Sequence, residues 1–189
     1  MNGLGAACLL VIGVTACAAD STTKDDLRKA LDTEQKIWIV KRSYTYSTGG
    51  KEHKCVYAKK DSLEGDNYEF HQGYKFGEQW KSEKLYGTLS EDGGFAKLTV
   101  SKEIGKPGIP YTLQFWSHEQ MCGILTFEKG TNGFQCELHA WTEALKWKPD
   151  ACADQYREIC QGKEQHQVFS EDCLDKFLDI DQRMRLAFP

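Results

Sequence analysis

Polar and apolar residues alternate along much of the chain between residues 37 and 141. Successive side chains of a β-strand point to opposite faces, so alternation with a period of two predicts half-buried strands. Glycine-rich segments such as residues 48–50 and 92–94 separate the alternating stretches and predict hairpin turns. We predict eight strands, at residues 37–46, 54–59, 68–76, 84–89, 95–101, 111–117, 122–127 and 135–141. Eight short strands joined by short turns favour an all-β fold, either an up-and-down antiparallel barrel or a sandwich.

Helical signals flank this β region. Residues 25–31 follow the start signal Ser21-Thr22-Thr23 and predict a short N-terminal helix. Pro149 and Asp150 open a second helical stretch at residues 151–160, and residues 169–178 predict a further short helix or an irregular covering segment. No repeat or linker divides the chain, so we predict that residues 19–189 form one domain.

The first 18 residues predict a secretory signal peptide. Residues 1–19 carry no charge, and their apolar stretch is too short to span a bilayer. Small residues at Ala16 and Ala18 fit cleavage after Ala18, which predicts a secreted, extracellular protein. A competing interpretation treats residues 14–17 as a lipobox that makes Cys17 a lipid-anchored N-terminus, although the segment lacks the basic residues of such signals. No other stretch of the sequence is apolar enough for a membrane anchor.

Charge and cysteine content narrow the functional class. The chain has 28 Asp+Glu against 24 Lys+Arg, a formal charge of −4, which argues against a nucleic-acid partner. Loss of Cys8 and Cys17 with the signal peptide leaves six of the eight cysteines, and an even number in a secreted chain predicts three disulfides. Fifteen pairings of six cysteines are possible. Zinc is the competing use, but the sequence contains no Cys-x-x-Cys. We expect no metal or cofactor, and the lack of catalytic motifs argues against an enzyme.

The alternation also indicates which side chains face the interior of the sheet. Aromatic residues share one face on several strands, and we take that face as the inner one. The side chains taken as inward-facing are Trp38, Val40, Arg42, Tyr44 and Tyr46 on the first strand, Tyr68, Phe70, Gln72, Tyr74 and Phe76 on the third, Tyr111, Leu113, Phe115 and Ser117 on the sixth, and Glu137, His139 and Trp141 on the eighth. Trp38 is expected to plug the closed end of a barrel.

Three segments carry a resemblance to a known family: residues 37–44 before Cys55-Val56, Cys122-Gly123-Ile124-Leu125 followed by Cys136-Glu137-Leu138-His139, and Val168-Phe169-Ser170 leading to Cys173. They resemble the tick salivary lipocalins of the histamine-binding protein family, over about residues 33–174. The resemblance implies an eight-stranded antiparallel up-and-down lipocalin barrel with a short N-terminal helix and a C-terminal helix. It also implies the disulfides Cys55–Cys173 and Cys122–Cys152, which leaves Cys136 with Cys160.

The resemblance bears on the ligand as well. Amine-binding members of the family carry an aspartate and an aromatic residue where this chain has Gly123 and His139. A buried ammonium group needs a carboxylate beside it, and Glu137 with Tyr44 is the set that remains. We therefore expect the barrel to sequester a small hydrophobic molecule, a sterol or a fatty-acid-derived mediator, and to modulate host inflammation or immunity. The alternatives are a scavenger of histamine or serotonin, and an inhibitor that binds a host immune protein or cell through its surface loops.

The predicted ligand-binding residues are Arg42, Tyr44, Phe70, Tyr74, Tyr111, Phe115, Leu125, Phe127, Glu137, His139 and Trp141. Several alternatives stay open at this point. Arg42 is an anchor for a ligand carboxylate, the ion-pair partner of Glu137, or an outward residue in water. His139 is a ligand contact or a satisfied interior histidine. The aromatic walls surround a pocket or fill the barrel as a core, because eight-stranded barrels are wide enough for either.

Overall fold

Eight antiparallel strands close into a barrel in the computed structural model, which describes residues 21–130 and 133–174. The predicted signal peptide, the interpretation of residues 14–17 as a lipobox and the part of the predicted C-terminal segment beyond residue 174 lie outside the described residues. In chain order the elements are α1 (Lys24–Leu31), β1 (Ile37–Arg42), β2 (Ser47–Thr48), β3 (Lys51–Glu64), β4 (Asn67–Phe76), β5 (Gln79–Asp92), β6 (Phe95–Ser101), β7 (Ile109–Ser117), β8 (Cys122–Glu128), β9 (Phe134–Trp141), α2 (Thr142–Trp147), α3 (Ala153–Ile159) and β10 (His166–Gln167).

The strands from β3 to β9 each pair with the next one along the chain, which is the up-and-down order. β1 then pairs with β9 on one side and with β3 on the other, and this double pairing closes the barrel. The two-residue strands β2 and β10 add short ladders to β3 and β1. The prediction of eight antiparallel strands in an up-and-down barrel is confirmed, and the alternative of a sandwich is wrong.

Strand positions agree with the sequence pattern better than strand lengths do. β3 and β5 each have 14 residues and extend well beyond the predicted stretches 54–59 and 84–89. Their outer parts, at residues 51–53 and 60–64 of β3 and 79–83 and 90–92 of β5, are mostly polar in sequence, so no alternation of polar and apolar residues marks them. The first strand was predicted to end at residue 46, but β1 ends at Arg42. The helix α2 is not indicated by any sequence signal used above, whereas α1 and α3 match the predicted helices to within two residues.

A β-bulge in β1 reverses part of the predicted inside–outside assignment. Ile39 pairs with His139 and Lys41 with Leu138, so one extra residue, Val40, sits in β1 between these pairs. Paired residues on neighbouring strands share a face, and Ile37 and Ile39 therefore face inward. The inward assignment of Trp38 and Val40 is wrong: both side chains pack on the outer face of the barrel. Beyond the bulge the alternation shifts by one, which brings Arg42 to the inner face opposite Glu137.

The helix α1 closes one end of the barrel. Thr23 caps its N-terminus in a reciprocal capping box with Asp26, which satisfies backbone N–H groups that the first helical turn leaves unpaired. Leu27 and Leu31 pack into an inner apolar cluster at this end. The indole N–H of Trp141 donates to the carbonyl of Ala30 at 3.0 Å. Trp141 therefore lies at the closed end, and the prediction that Trp38 serves as the plug there is wrong.

The chain after β9 covers the outer face of the barrel. Trp38 is the centre of this second apolar cluster, with its ring 5.1 Å from Tyr57 and 5.3 Å from Phe169, measured between centroids. Three disulfides join the C-terminal segment to the wall: Cys55–Cys173, Cys122–Cys152 and Cys136–Cys160. These are the pairs that the family resemblance implies. Within the described residues, no helix has the length and apolar character needed to cross a membrane.

We predict that the Cys55–Cys173 bond stabilises the fold more than the Cys136–Cys160 bond. The sequence separations are 118 and 24 residues, and the longer loop removes more entropy from the unfolded chain, by about 1.4 kcal/mol in free energy. Urea unfolding of the two double variants, Cys55→Ala with Cys173→Ala and Cys136→Ala with Cys160→Ala, measures this difference. All four cysteines are fully buried, so the lost packing is matched. Equal losses in the two variants would contradict the prediction.

Candidate functional site

The barrel encloses a cavity of about 530 Å³, a volume within the range of small-molecule sites. Its deep half, next to α1, is lined mainly by apolar side chains: Leu31, Ile37, Ile39, Ala58, Tyr68, Phe70, Leu85, Leu98 and Leu125. Its upper half, towards the other end of the strands, is more polar and includes Tyr44, Tyr46, His53, Glu83, Lys102, Glu137 and His139. Of the two alternatives left open by the sequence, the barrel with a cavity is therefore the one observed.

Six of the eleven predicted ligand-binding residues line this cavity: Tyr44, Phe70, Tyr111, Leu125, Glu137 and His139. Two others lie directly behind the wall. Phe127 contacts the rings of Tyr44 and Tyr111, with centroid distances of 5.4 Å and 4.9 Å. Tyr74 stacks on the imidazole of His53 at 4.1 Å with the rings nearly parallel. These two residues support wall side chains, and they are not among the residues that line the cavity.

Phe115 and Trp141 are predicted wall residues that the structure places elsewhere. The register between β7 and β8 shifts between Leu113 and Phe115, so the two side chains no longer share a face. Leu113 joins the inner cluster, whereas Phe115 packs against the outer one. Trp141 lies below the cavity in the closed end, 5.5 Å from the ring of Trp116. Both assignments to the ligand wall are wrong because bulges and end-capping contacts leave no mark in the alternation pattern.

The buried carboxylate of Glu137 is the most constrained polar group of the cavity. One oxygen, Oε1, accepts a hydrogen bond from the phenol of Tyr44, and the other, Oε2, lies 2.8 Å from Nε2 of His139. Burial alone would raise the pKa of Glu137, but the hydrogen bonds from His139 and Tyr44 and the nearby positive charges hold this pKa below its usual value. Burial and the adjacent Glu137 raise the pKa of Tyr44, which keeps the phenol protonated as a donor.

Arg42 is buried on the inner face at the upper end of the barrel, but it is not among the residues that line the cavity. Its Nη2 donates to the carbonyl of His53 at 3.1 Å and to that of Tyr46 at 3.4 Å. Its guanidinium carbon lies 5.3 Å from the ring centroid of Tyr44. Of the three alternatives for Arg42, the outward position and the ion pair are not observed, because it is neither exposed nor within ion-pair distance of Glu137, and the anchor for a ligand carboxylate stays a prediction. Arg42 fixes residues 43–53 over the open end through backbone carbonyls.

His53, Glu83 and Lys102 are cavity residues that sequence reasoning missed. Glu83 and Lys102 form an ion pair at 3.0 Å near the open end. His53 donates to or accepts from Thr48 at 3.0 Å, and burial followed by the charge of Arg42 lowers its pKa. Glu83 lies in the part of β5 that showed no alternation, and His53 precedes the predicted start of its strand. With the correct lengths of β3 and β5, both residues would have been included among the strand positions considered for the inner face.

Gly123 lies opposite His139, and the structure explains why no side chain is present there. A Cβ at this position would lie 2.9 Å from the carbonyl oxygen of Phe115 and 3.1 Å from the indole ring of Trp116. Contacts that short force the neighbours to move, which costs about 1–3 kcal/mol in a packed core. The ring of Trp116 therefore takes the space that an acidic side chain at residue 123 would need.

Among the described residues, no group of three or more His, Cys, Asp or Glu side chains is placed to hold a metal ion.

The profile of the family described as tick histamine binding protein matches residues 16–175 of the sequence. The chain belongs to this tick histamine-binding protein family. The family match covers the whole barrel and its three disulfides. Among curated proteins, none matches the chain.

Two crystal structures are similar in fold to this member of the family. The AM182–serotonin complex superposes with a TM-score of 0.58 at 18% identity, over 78% of this chain and 91% of that one. Japanin from Rhipicephalus appendiculatus, bound to cholesterol, superposes with a TM-score of 0.55 at 16% identity, over 76% of this chain and 98% of Japanin. At such identities the likeness supports the lipocalin-like barrel and not the identity of a ligand.

We predict that Glu137→Gln destabilises the protein at neutral pH and much less in acid. The pKa of Glu137 is lower in the fold than in the unfolded chain, where it is about 4.3. The carboxylate therefore stabilises the fold fully above that value, and this contribution is lost as the pH falls through the folded-state pKa. We expect a loss of about 1–3 kcal/mol in the free energy of unfolding at pH 7.

Urea unfolding at pH 7 and pH 3 measures this difference between wild type and Glu137→Gln. Glu83→Gln is the matched control, because it removes a carboxylate from the same cavity but from a partly exposed ion pair. We expect the control to change the free energy of unfolding by less than about 1 kcal/mol. A loss in Glu137→Gln that is as large at pH 3 as at pH 7 would show that the carboxylate charge is not the cause.

Proposed function

We propose that the protein binds and sequesters a small, largely apolar molecule in its barrel. The observation that carries the proposal is the cavity itself, with an apolar deep half and a hydrogen-bonded polar cluster above it. An apolar body placed next to α1 would bury its surface against aliphatic and aromatic side chains, at about 25 cal/mol per Å² of apolar area. A single polar group at its upper end would reach Glu137 and His139. A sterol with one hydroxyl has this distribution of polarity.

The polar cluster favours a hydroxyl over a carboxylate at this end of the ligand. An anion beside Glu137 would meet a second negative charge in a buried setting, which is unfavourable. Arg42 is the cation that a fatty-acid-derived mediator would need, but its Nη2 donates to backbone carbonyls and it does not line the cavity. A hydroxyl can donate to a Glu137 oxygen, because each carboxylate oxygen keeps a lone pair beside its hydrogen bond from Tyr44 or His139. We therefore place the sterol class before fatty-acid-derived mediators.

A biogenic amine such as histamine or serotonin is the second candidate, and Glu137 is the observation that favours it. A carboxylate attracts an ammonium group by its charge, and the aromatic side chains of the cavity add cation–π contacts. The hydrogen bonds from Tyr44 and His139, however, already stabilise the negative charge of Glu137 within the protein, which lowers the gain from an added ammonium group. Gly123 provides no second carboxylate, since Trp116 occupies that space. The two similar structures hold serotonin and cholesterol, so each class has a precedent in the barrel fold.

We further propose that the protein is secreted and acts on a host as a scavenger. The predicted signal peptide and the three disulfides support an extracellular location. A scavenger works by mass action, when its concentration exceeds both that of the ligand and the dissociation constant. Depletion of an inflammatory or immune mediator then needs no catalytic group. Binding of a host immune protein or cell by surface loops stays the alternative if no small molecule occupies the barrel.

We predict that the purified protein binds cholesterol with a dissociation constant in the micromolar range or tighter. A saturated fatty acid of similar length should bind at least about tenfold more weakly, because its carboxylate would lie beside Glu137 and because Lys102 in the upper cavity is already paired with Glu83. Native mass spectrometry and tryptophan fluorescence titration measure both affinities. Tighter binding of the fatty acid would contradict the assignment to a sterol, and failure of every small molecule to bind would favour the protein-partner alternative.

We predict that Glu137→Gln leaves the affinity for a sterol nearly unchanged and lowers the affinity for a biogenic amine. Glutamine keeps an oxygen acceptor and an amide donor but has no charge, so a sterol hydroxyl keeps its hydrogen bonds and its affinity changes less than about threefold. An ammonium group loses its counter-charge, and its affinity falls at least about tenfold. Calorimetry with cholesterol, histamine and serotonin separates these cases, with Glu83→Gln as the control for a carboxylate at the open end. Micromolar serotonin binding that Glu137→Gln abolishes would overturn the preference for an apolar ligand.

A further inference from the structure

The open end of the barrel carries most of the exposed large hydrophobic side chains of the described chain. The topology brings residues 43–50, 76–79, 102–108 and the ends of the β8–β9 turn to this end, opposite α1, and we call these segments the open rim. Five large hydrophobic residues are exposed: Tyr46, Ile104, Ile109, Phe134 and Trp147. The first four lie in the open rim or at its border. Exposed apolar groups that gather around one opening indicate an interaction surface.

The loop at residues 102–108 connects this surface with the cavity. Lys102, Pro107, Gly108 and Ile109 line the cavity, whereas Ile104 at the tip of the same loop is 72% exposed. Two hydrogen bonds hold the loop in a tight turn, from the hydroxyl of Ser101 and from the backbone N–H of Lys106 to the carbonyl of Glu103. Ile104 is therefore presented in a fixed position, which reduces the entropy cost of docking.

A protein partner is a poor fit for this rim. Stable protein interfaces bury about 800 Å² per partner around a close-packed centre, but here the centre of the ring is the mouth of a cavity of about 530 Å³. A lipid surface adapts to such a ring, since headgroups rearrange around single inserted side chains.

The charges of the open rim fit a surface that carries both signs. Glu103 and Lys106 flank Ile104, and Glu78 and Lys129 lie on other segments of the rim or at its border. The Nζ of Lys129 lies over the ring of Tyr44, 4.8 Å from its centroid, and so stays at the mouth. Zwitterionic headgroups offer a phosphate to each lysine and a quaternary ammonium group to each glutamate. A rim that carries both signs can pair with both groups of such a headgroup, whereas a rim of one sign can pair with only one of them.

We propose that the open rim docks on a zwitterionic lipid surface with Ile104 inserted among the headgroups, and that the ligand enters the barrel directly from that surface. The proposal rests on the apolar ligand proposed above. Such a molecule is held in lipid by about 0.8 kcal/mol for each buried CH₂ group, so its passage through water is slow. Contact between the mouth and the lipid removes that step. A protein that collects its ligand in this way binds lipid weakly and reversibly.

Flotation with phosphatidylcholine vesicles tests the docking step on the ligand-free full chain. Wild-type protein should float with the vesicles, and Ile104→Ser should lower the partition coefficient about tenfold. Trp147→Ser is the matched control, because Trp147 is 77% exposed but lies at the end of α2, away from the rim. It should leave the partition coefficient unchanged. No flotation of the wild type, an equal loss in the control, or a wild-type dimer in sedimentation that Ile104→Ser dissociates would overturn the proposal.

Transfer kinetics test the second step and separate its failure from a failure of the proposed function. The probe is a fluorescent cholesterol analogue, supplied either in cyclodextrin or in phosphatidylcholine vesicles. Equilibrium binding from cyclodextrin should be equal for wild type and Ile104→Ser. Transfer from vesicles should speed up in proportion to vesicle concentration, and should slow about tenfold in Ile104→Ser. No binding from cyclodextrin would refute the apolar-ligand function itself, whereas binding with a transfer rate independent of vesicle concentration would refute only the docking.

Discussion

Closure of the barrel depends on β1, which has only six residues and pairs with three other strands. It completes the wall by pairing with β9 on one side and with β3 on the other, and it carries the short ladder to β10. Alternation lets this strand serve two cores, and the bulge at Val40 changes which residues face inward beyond it. Before the bulge, Trp38 anchors the outer cluster and the isoleucines face the cavity; after it, Arg42 turns inward. Both the ligand cavity and the covering C-terminal segment therefore take their positions from one irregular strand.

The positions of the polar groups in the cavity depend on Arg42. Its guanidinium binds carbonyls of Tyr46 and His53 and so fixes the segment that follows β1. That segment places Tyr44 over Glu137, and Glu137 is completed by His139 on its own strand. Two hydrogen-bond donors stabilise the negative charge of this buried carboxylate within the protein, so it does not need a cation from a ligand. A neutral ligand can therefore form a hydrogen bond with Glu137, and the cavity does not require a charged ligand.

Sequence patterns predicted the architecture and about half of the candidate site, and the misses have a common physical cause. Alternation identifies a strand and its two faces only while the register is regular. Bulges at Val40 and between Leu113 and Phe115 change the face without any change in the pattern, so Trp38 and Phe115 were assigned to the wrong side. Glu83 and His53 were missed because their strands extend beyond the predicted stretches 84–89 and 54–59, where the alternation of polar and apolar residues ends. Glu137 and His139 lie on a strand that is regular throughout, and both were placed correctly.

The pairing of Cys55 with Cys173 also sets an order of events during biosynthesis. Chains emerge from the ribosome from the N-terminus onwards, at about 5–20 residues per second. Cys55 is therefore synthesised well before its partner, which follows 118 residues later. In that interval Cys122 and Cys136 appear first and are available for wrong bonds. The native pairing can be completed only after all eight barrel strands have been made, so any earlier bond of Cys55 has to be exchanged for it.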